Sequence, residues 1–414
     1  MELTLAPDRP RQAVILAGGR GTRMRPFTDR RPKPMVEVCG KPFLHYQLEQ
    51  LREQGFERVL LLLGYLPEAI MEYCGDGRRW GLRIDYSVTA VDDETGRRVK
   101  VAEPFLDECF LLLYCDNYWP MQWAPMWERF SRADADAMIT VYSNKDGYTR
   151  NSVRVESDGR VSIYDKSCAD PTLNGVEISY AIVTRKALAP LDGENRLFET
   201  TVYPPLAASG RLAGFVSDHR YYSIGAMRRL PLTENFFRRE KTVLVDRDGV
   251  LNRKPPRADY VTSWRDFEWL PQAQSALRLL HEHGYRVILV SNQAGLARGA
   301  MSEAALDEIH TRMKEDVRAA GGEIAAIYYC PHDWDSGCEC RKPRPGMLFH
   351  AQRDFHLDLS RTPFIGDDER DGEAAAAAGC PFMRVADGKS FFQCVQEIIK
   401  NPGEGRENLC SQEF

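Results

Sequence analysis

The chain of 414 residues is too long for one ordinary hydrophobic core, and at roughly 150 residues per domain it should hold two or three. Its 43% hydrophobic and 28% charged residues are those of a soluble globular protein, and a net charge of −5 from 55 basic and 60 acidic residues excludes a general polyanion-binding surface, so no nucleic-acid partner is expected. No apolar run approaches the roughly 20 residues that span a bilayer, and the stretch Met1–Asp8 lacks the basic start and apolar centre of a secretory signal, so the expected location is cytoplasmic and away from membranes.

The first predicted element is a short apolar strand, Gln12–Ala17. It feeds Gly18, Gly19, Gly21, Thr22, Arg23 and Arg25, and then Arg31-Pro-Lys33-Pro-Met35. Glycines directly after a strand let the backbone approach a ligand, and successive N–H groups can form an anion-binding nest. Arg23, Arg25 and Lys33 add fixed positive charge where a triphosphate must be held and pyrophosphate must leave. Beyond the loop the pattern predicts a helix over Pro42–Gln54, a strand over Arg58–Leu63, a helix over Pro67–Tyr73 and a strand over Phe110–Tyr114. Such alternation predicts an α/β fold with a mostly parallel, doubly wound sheet.

The string G-G-R-G-T-R-M-R-P, R-P-K-P-M and G-K-P resembles the sugar-phosphate nucleotidyltransferases, which join a nucleoside triphosphate to a sugar 1-phosphate, and the resemblance spans most of residues 11–235. It implies a Rossmann-like fold, with Arg23 and Lys33 as the phosphate-binding and catalytic pair and Gly18, Gly19, Gly21 and Thr22 around the nucleotide. Asp116, after Leu111–Cys115, takes the place of the magnesium-binding aspartate, and Lys166 that of the E-K-P lysine that holds the sugar phosphate. Three positions depart from the family. Val91–Gly96 replaces the usual base-side loop, Asp165 and Ser167 flank Lys166, and Ser223 stands where a second metal-binding aspartate is common. The alternative is a non-catalytic nucleotide-sugar-binding module.

The segment Glu234–Lys241 has no Gly/Ser- or Pro-rich spacer, which predicts two directly joined domains, 1–238 and 239–400, before a polar tail at 401–414. Thr242–Val245 is a second apolar strand, and it runs into Asp246, Asp248 and Gly249. On a straight strand two acids at i and i+2 face opposite sides, so Gly249 predicts a loop that curls back and turns both toward one ion. D-x-D-G in this setting resembles the haloacid-dehalogenase-like phosphatases. That resemblance makes Asp246 the nucleophile, Asp248 the proton donor and water activator, and Mg²⁺ the cofactor, held by Asp246, Asp248 and Asp367. The strand Arg286–Val290 ends at Ser291, Asn292 and Gln293, which would hold the phosphate, and Lys342 matches the lysine that stabilises the phosphorylated aspartate. Helices are predicted over Pro271–His283, with Ala273, Ala276, Leu277 and Leu280 on one stripe, and after Ser302, with Leu306, Ile309 and Met313 inward.

Of eleven cysteines, three crowd between Cys330 and Cys340. Cys330, His332, Cys338 and Cys340 form the ligand set of a closed structural Zn²⁺ site, placed to fix the loop that delivers Arg341 and Lys342. Ser291–Gly299 and Cys340–Met347 resemble the zinc-bearing heptose-1,7-bisphosphate 7-phosphatases, a resemblance covering residues 241–390 that makes Arg298 and Arg341 substrate contacts. The expected function is therefore bifunctional. The second domain removes the 7-phosphate, and the first transfers NMP from an NTP to heptose 1-phosphate. GTP is favoured as donor, with CTP, ATP and UTP open, and a hexose transferase fused to a histidinol-phosphatase-like enzyme is the rival. The partners are sugar phosphates and an NTP, and a homo-oligomer is compatible with the composition.

Overall fold

The computed structural model describes residues 9–256, 259–386 and 388–401. Nearly all of the predicted tail, residues 402–414, lies outside the described residues. The chain divides into two compact units, Met1–Phe237 and Arg238–Phe414. No helix among the described residues is long and apolar enough to cross a membrane.

The first unit is built on seven strands: β1 Gln12–Ala17, β2 Arg58–Leu63, β3 Arg83–Val88, β4 Cys109–Tyr114, β5 Ala137–Tyr142, β6 Val176–Thr184 and β7 Leu212–Ser217. Their order across the sheet is β7-β5-β6-β4-β1-β2-β3. All pairings are parallel except those of β6, which runs antiparallel to β4 and β5. β1 lies between β4 and β2 and is buried throughout, as a strand covered on both faces must be. Apolar clusters lie on either side of the sheet, around Ile15 and Leu61 on one and Val14 and Leu62 on the other. The unit ends with the helix Leu230–Phe237, whose Phe236 and Phe237 are buried against Tyr46, Tyr118 and Tyr222. Much of the segment expected to join the domains is thus the last helix of the first unit.

The second unit has five parallel strands: β8 Thr242–Val245, β9 Arg286–Asn292, β10 Ala326–Cys330, β11 Phe364–Gly366 and β12 Phe382–Arg384. Their order is β10-β9-β8-β11-β12, with β8 central. Strand order reverses beside β8, and in open α/β sheets ligands bind beyond the carboxyl ends of strands at such a switch point. The helix Ala273–Glu282 buries Ala273, Ala276, Leu277 and Leu280. The helix Glu303–Ala319 buries Leu306, Ile309 and Met313, and the Ser302 hydroxyl accepts from the Ala305 N–H to cap it.

Candidate functional site

Beyond β8 the chain turns sharply. Gly249 has φ +93, its N–H donates to the Asn252 carbonyl at 2.8 Å, and the 246–252 loop folds back on itself. Asp246 stays beside β11 because its N–H donates to the Ile365 carbonyl at 2.9 Å. The buried ammonium of Lys342 lies 2.9 Å from Asp246 Oδ1 and 2.7 Å from Asp371 Oδ1, and also donates to the Val290 carbonyl at 2.8 Å. Asp246, Asp367 and Asp371 can each place a carboxylate oxygen within 4.8 Å of the others. Two glycines make this crowding feasible. A Cβ on Gly249 would come 2.3 Å from Asp367 Oδ2, and one on Gly366 would come 2.5 Å from Asp371 Oδ2.

The carboxylate grouping differs from the expected one at one position. Asp248 is not part of it; Asp371 is. The buried Arg247 guanidinium chelates Asp248 at 2.9 and 3.0 Å, and Asn252 Nδ2 and Gln293 Nε2 each donate to it at 2.9 Å. Asp371 sits in the first turn of the helix Glu369–Ala378, where it accepts from the Asp368 N–H in a capping box. The two motif acids are also driven apart in proton affinity. Burial raises Asp246 to about 7, with Lys342 opposing. For Asp248 burial also pushes upward, but Arg247 and the bonds from Asn252 and Gln293 outweigh it and hold the carboxyl low. Burial raises Asp367 as well, opposed by Lys254, whose Nζ lies 2.7 Å away.

The remaining expected phosphate contacts separate into two kinds. Ser291 is buried and accepts from Gln293 Nε2 at 2.8 Å, so Gln293 links it to Asp248. Asn292 instead clamps the loop that carries Lys342, donating to its carbonyl at 3.0 Å and accepting from its N–H at 3.1 Å. Arg298 pairs with Asp333 at 2.7 Å and stacks on Trp334 at 3.8 Å, while the Arg341 guanidinium lies 3.5 Å from the His332 carbonyl. Both arginines therefore border the cysteine loop.

In that loop Cys330 Sγ lies 3.5 Å from His332 Nδ1, 3.6 Å from Cys338 Sγ and 3.4 Å from Cys340 Sγ. Cys340 Sγ is 3.2 Å from His332 Nδ1 and 3.5 Å from Cys338 Sγ. These separations exceed a disulfide bond and match the edges, roughly 3.3–3.8 Å, of a tetrahedron with metal–ligand bonds of about 2.0–2.3 Å. The four side chains fit a four-coordinate ion.

In the first unit, Gly18 is buried at the end of β1 and Gly19 is exposed beyond it. Gly21, at φ +64, starts the short turn Thr22–Met24, on which Thr22 and Arg23 are exposed. Lys33 is buried, with Nζ 2.5 Å from Asp116 Oδ2 just beyond β4. Asp116 belongs to neither acidic nor thiol grouping. Ser223 lies across from Asn117 in a two-residue antiparallel pairing and uses its Oγ to accept from the Gly225 N–H. Lys166 pairs with Glu199, a buried carboxylate that also accepts from Tyr114 Oη at 2.7 Å and Thr95 Oγ1 at 3.2 Å. Asp165 turns away from that cluster and accepts from Ser167 and from the Ala169 and Asp170 N–H groups, which hold it down to about 2.

Two residues that complete this layout have no place in the motifs. Asp371 carried a faint signal, one helical turn beyond Asp367 in an N-terminal capping position. Glu199 carried none, since it meets Lys166 from 33 residues away.

Residues 12–162 match the nucleotidyl transferase family, and residues 339–402 match the HAD-hydrolase-like family. The D-glycero-beta-D-manno-heptose-1,7-bisphosphate 7-phosphatase of Pseudomonas aeruginosa is 40% identical over 147 residues, 36% of this chain and 82% of that protein. The chain belongs to that phosphatase family. Membership rests on the second unit. The phosphatase of the same description from Bordetella bronchiseptica is 41% identical over 140 residues, 34% of this chain and 77% of its own length. Among solved structures, HddC from Yersinia pseudotuberculosis is 25% identical with a TM-score of 0.48, covering 55% of this chain and all of its own. The D,D-heptose 1.7-bisphosphate phosphatase of B. bronchiseptica, crystallised with magnesium and phosphate, is 33% identical with a TM-score of 0.37, covering 39% of this chain and 99% of its own. This member of the phosphatase family thus carries a nucleotidyltransferase domain ahead of its phosphatase domain, and it is a bifunctional enzyme acting on sugar phosphates and nucleotides.

Proposed function

We propose that the second domain removes the 7-phosphate of D-glycero-D-manno-heptose 1,7-bisphosphate and that the first transfers NMP, from GTP by preference, to the resulting heptose 1-phosphate. The observation that carries the phosphatase reading is Lys342 bridging Asp246 and Asp371 beside Asp367. A carboxylate attacks a phosphate dianion only if the mutual repulsion is neutralised. Lys342 supplies one positive charge, and Mg²⁺, held by Asp246, Asp367 and Asp371, would supply the rest. Asp246 Oδ attacks phosphorus in line, the P–O bond to the sugar breaks, and the leaving oxygen takes a proton from Asp248. Docking of the anionic phosphate raises the proton affinity of Asp248 for that step. Ionised again, Asp248 accepts a proton from the water that hydrolyses the aspartyl-phosphate. Ser291 holds the transferred phosphate, and Arg298 and Arg341 hold the remainder of the substrate.

Zn²⁺ suits the thiol and imidazole set by donor type and spacing, and its place is structural, fixing the path to Arg341 and Lys342. In the first domain Gly18, Gly19, Gly21, Thr22 and Arg23 would cradle the triphosphate. Lys33 would neutralise charge developing at the α-phosphate, Asp116 would hold Mg²⁺, and Lys166 would meet the sugar phosphate. GTP is the preferred donor because the first domain resembles heptose 1-phosphate guanylyltransferases.

The test starts from heptose 1,7-bisphosphate with each of four NTPs, following phosphate and pyrophosphate. Phosphate release independent of NTP, and pyrophosphate release greatest with GTP, are expected. Faster hydrolysis of histidinol phosphate would remove the heptose assignment. Absence of pyrophosphate with every NTP would reduce the first domain to a binding module. With heptose 1-phosphate supplied directly to the transferase reaction, Asp246→Asn should abolish only phosphate release from the bisphosphate, and Arg23→Ala only pyrophosphate release.

A further inference from the structure

Arg98 stands on the helix Thr95–Ala102, is 2% exposed, and forms no ion pair among the described residues. Its guanidinium donates to neutral oxygens: the carbonyls of Leu63 at 2.7 Å, Gly18 at 3.3 Å, Ala90 at 2.9 Å and Val91 at 3.1 Å, and Thr89 Oγ1 at 2.5 Å. Those acceptors lie at the carboxyl ends of three neighbouring strands, β1, β2 and β3. Two glycines leave room for the group. A Cβ at Gly18 would lie 2.4 Å from its Cζ, and one at Gly64 would lie 2.5 Å from its Nη1. A buried cation bonded only to neutral oxygens, with Asp93 and Glu94 acting on it through space alone, is costly to keep, so its position calls for a reason beyond packing.

The direction of one peptide supplies that reason. The Gly18–Gly19 bond is trans, so the Gly18 carbonyl and the Gly19 N–H point opposite ways. The carbonyl receives Arg98 and, at 3.0 Å, the Tyr65 N–H. Gly19 N–H is therefore aimed to the other side, where Gly19 is exposed and nothing lies within 4 Å of a would-be Cβ. A guanidinium on the carbonyl end polarises that N–H as an anion donor. The same guanidinium fixes the path of Thr89–Val91, the start of the divergent loop on the base side.

We infer that Arg98 is a positioning residue for the nucleoside triphosphate, setting the phosphate-binding peptide and the base-side loop from one buried charge. The inference rests on the nucleotidyltransferase reading of the first domain. Calorimetric titration of the full chain with each NTP and Mg²⁺ tests it without requiring turnover. Loss of charge-assisted bonds in Arg98→Met should weaken NTP binding by about 10- to 100-fold. The KM for sugar 1-phosphate should stay within about twofold, because Arg98 makes no bond to Lys166 or Asp116. Arg98→Lys keeps the charge but not the fork of donors, and should fall between wild type and Arg98→Met. Thr89→Val removes one acceptor at a partly exposed site, and should weaken NTP binding by roughly 3- to 10-fold.

A folded Arg98→Met protein with wild-type NTP affinity overturns the inference, as does equal loss of NTP and sugar-phosphate affinity. Should Arg98→Met not fold, wild-type NTP affinity in Thr89→Val overturns it instead. Wild-type protein that binds NTP and yields no pyrophosphate sinks the transferase reading while leaving Arg98's role standing. Wild-type protein that binds no NTP sinks both.

Discussion

Gly249 and Asp367 cannot both keep their places if Gly249 gains a side chain, because a Cβ there would lie 2.3 Å from a carboxylate oxygen of Asp367. Gly249 also holds φ +93, where an L side chain costs about 1–2 kcal/mol. Gly249→Ala should therefore lower phosphatase kcat by about 100-fold or more, since sub-ångström displacement of a reacting group has effects of that size. Transferase turnover on the same preparation should be unchanged. Phosphate release from the bisphosphate and pyrophosphate release from supplied heptose 1-phosphate, measured side by side, check both halves of the expectation.

Asp246 predicts how stability varies with pH. Burial raises its pKa to about 7, so between pH 4 and 7 the folded chain keeps a proton that the unfolded chain has lost. The resulting stabilisation is complete below about pH 4 and is lost progressively as pH rises to about 7, a change on the order of 4 kcal/mol. Without divalent metal, the melting temperature of the phosphatase domain should fall across that window. Magnesium should raise it most above pH 7, where Asp246 is ionised. Asp246→Asn should remove this component of the pH dependence while abolishing phosphatase activity.

Asn292 grips both backbone polar groups of Lys342 and touches neither motif acid. Asn292→Ala frees the lysine's loop without removing a charge. Phosphatase kcat should drop by about 10-fold with KM little altered, because loss of orientation weakens the transition state more than the ground state. Steady-state kinetics on the bisphosphate provide the measurement; a change confined to KM would reassign Asn292 to substrate binding.

The cysteine loop should bind one zinc per chain, measurable by elemental analysis of protein purified without added metal. Cys338→Ser should lose that zinc and reduce phosphatase activity by about 10- to 100-fold through displacement of Arg341 and Lys342. Pyrophosphate release from supplied heptose 1-phosphate and NTP should persist. Equal loss of both activities would show that the ion supports more than its own loop.

Lys33 and Asp116 make the corresponding pair in the first domain, 2.5 Å apart with Lys33 buried. Lys33→Met deletes the charge proposed to neutralise the α-phosphate and should lower transferase kcat by about 100- to 1,000-fold, as loss of one preorganised donor does elsewhere. Phosphate release from the bisphosphate is the internal control and should be unaffected.

Local signals were sufficient where a strand, its turn and its reactive residue are contiguous. Gln12–Ala17 before the glycines, Thr242–Val245 before Asp246, and the stripe of Ala273, Ala276, Leu277 and Leu280 each encode their own placement through period and glycine position. Cys330 to Cys340 is likewise a short-range cluster, and its position directly before Arg341 and Lys342 is what points to one ion. The antiparallel course of β6 was not legible, because side-chain alternation carries no strand direction.

What the sequence determined by itself was the two α/β domains, the order of their motifs and the chemistry those residue types allow. Tertiary structure decided which carboxylates converge. Asp248, two residues after Asp246, is drawn off by Arg247, Asn252 and Gln293, while Asp371 is brought in from a distant helix to share Lys342 with Asp246. Glu199 at Lys166 and Arg98 beneath Gly18 enter the same way. The physical reason is that desolvation and charge pairing depend on which groups meet in space, and a buried charge is settled by neighbours that no sequence window contains.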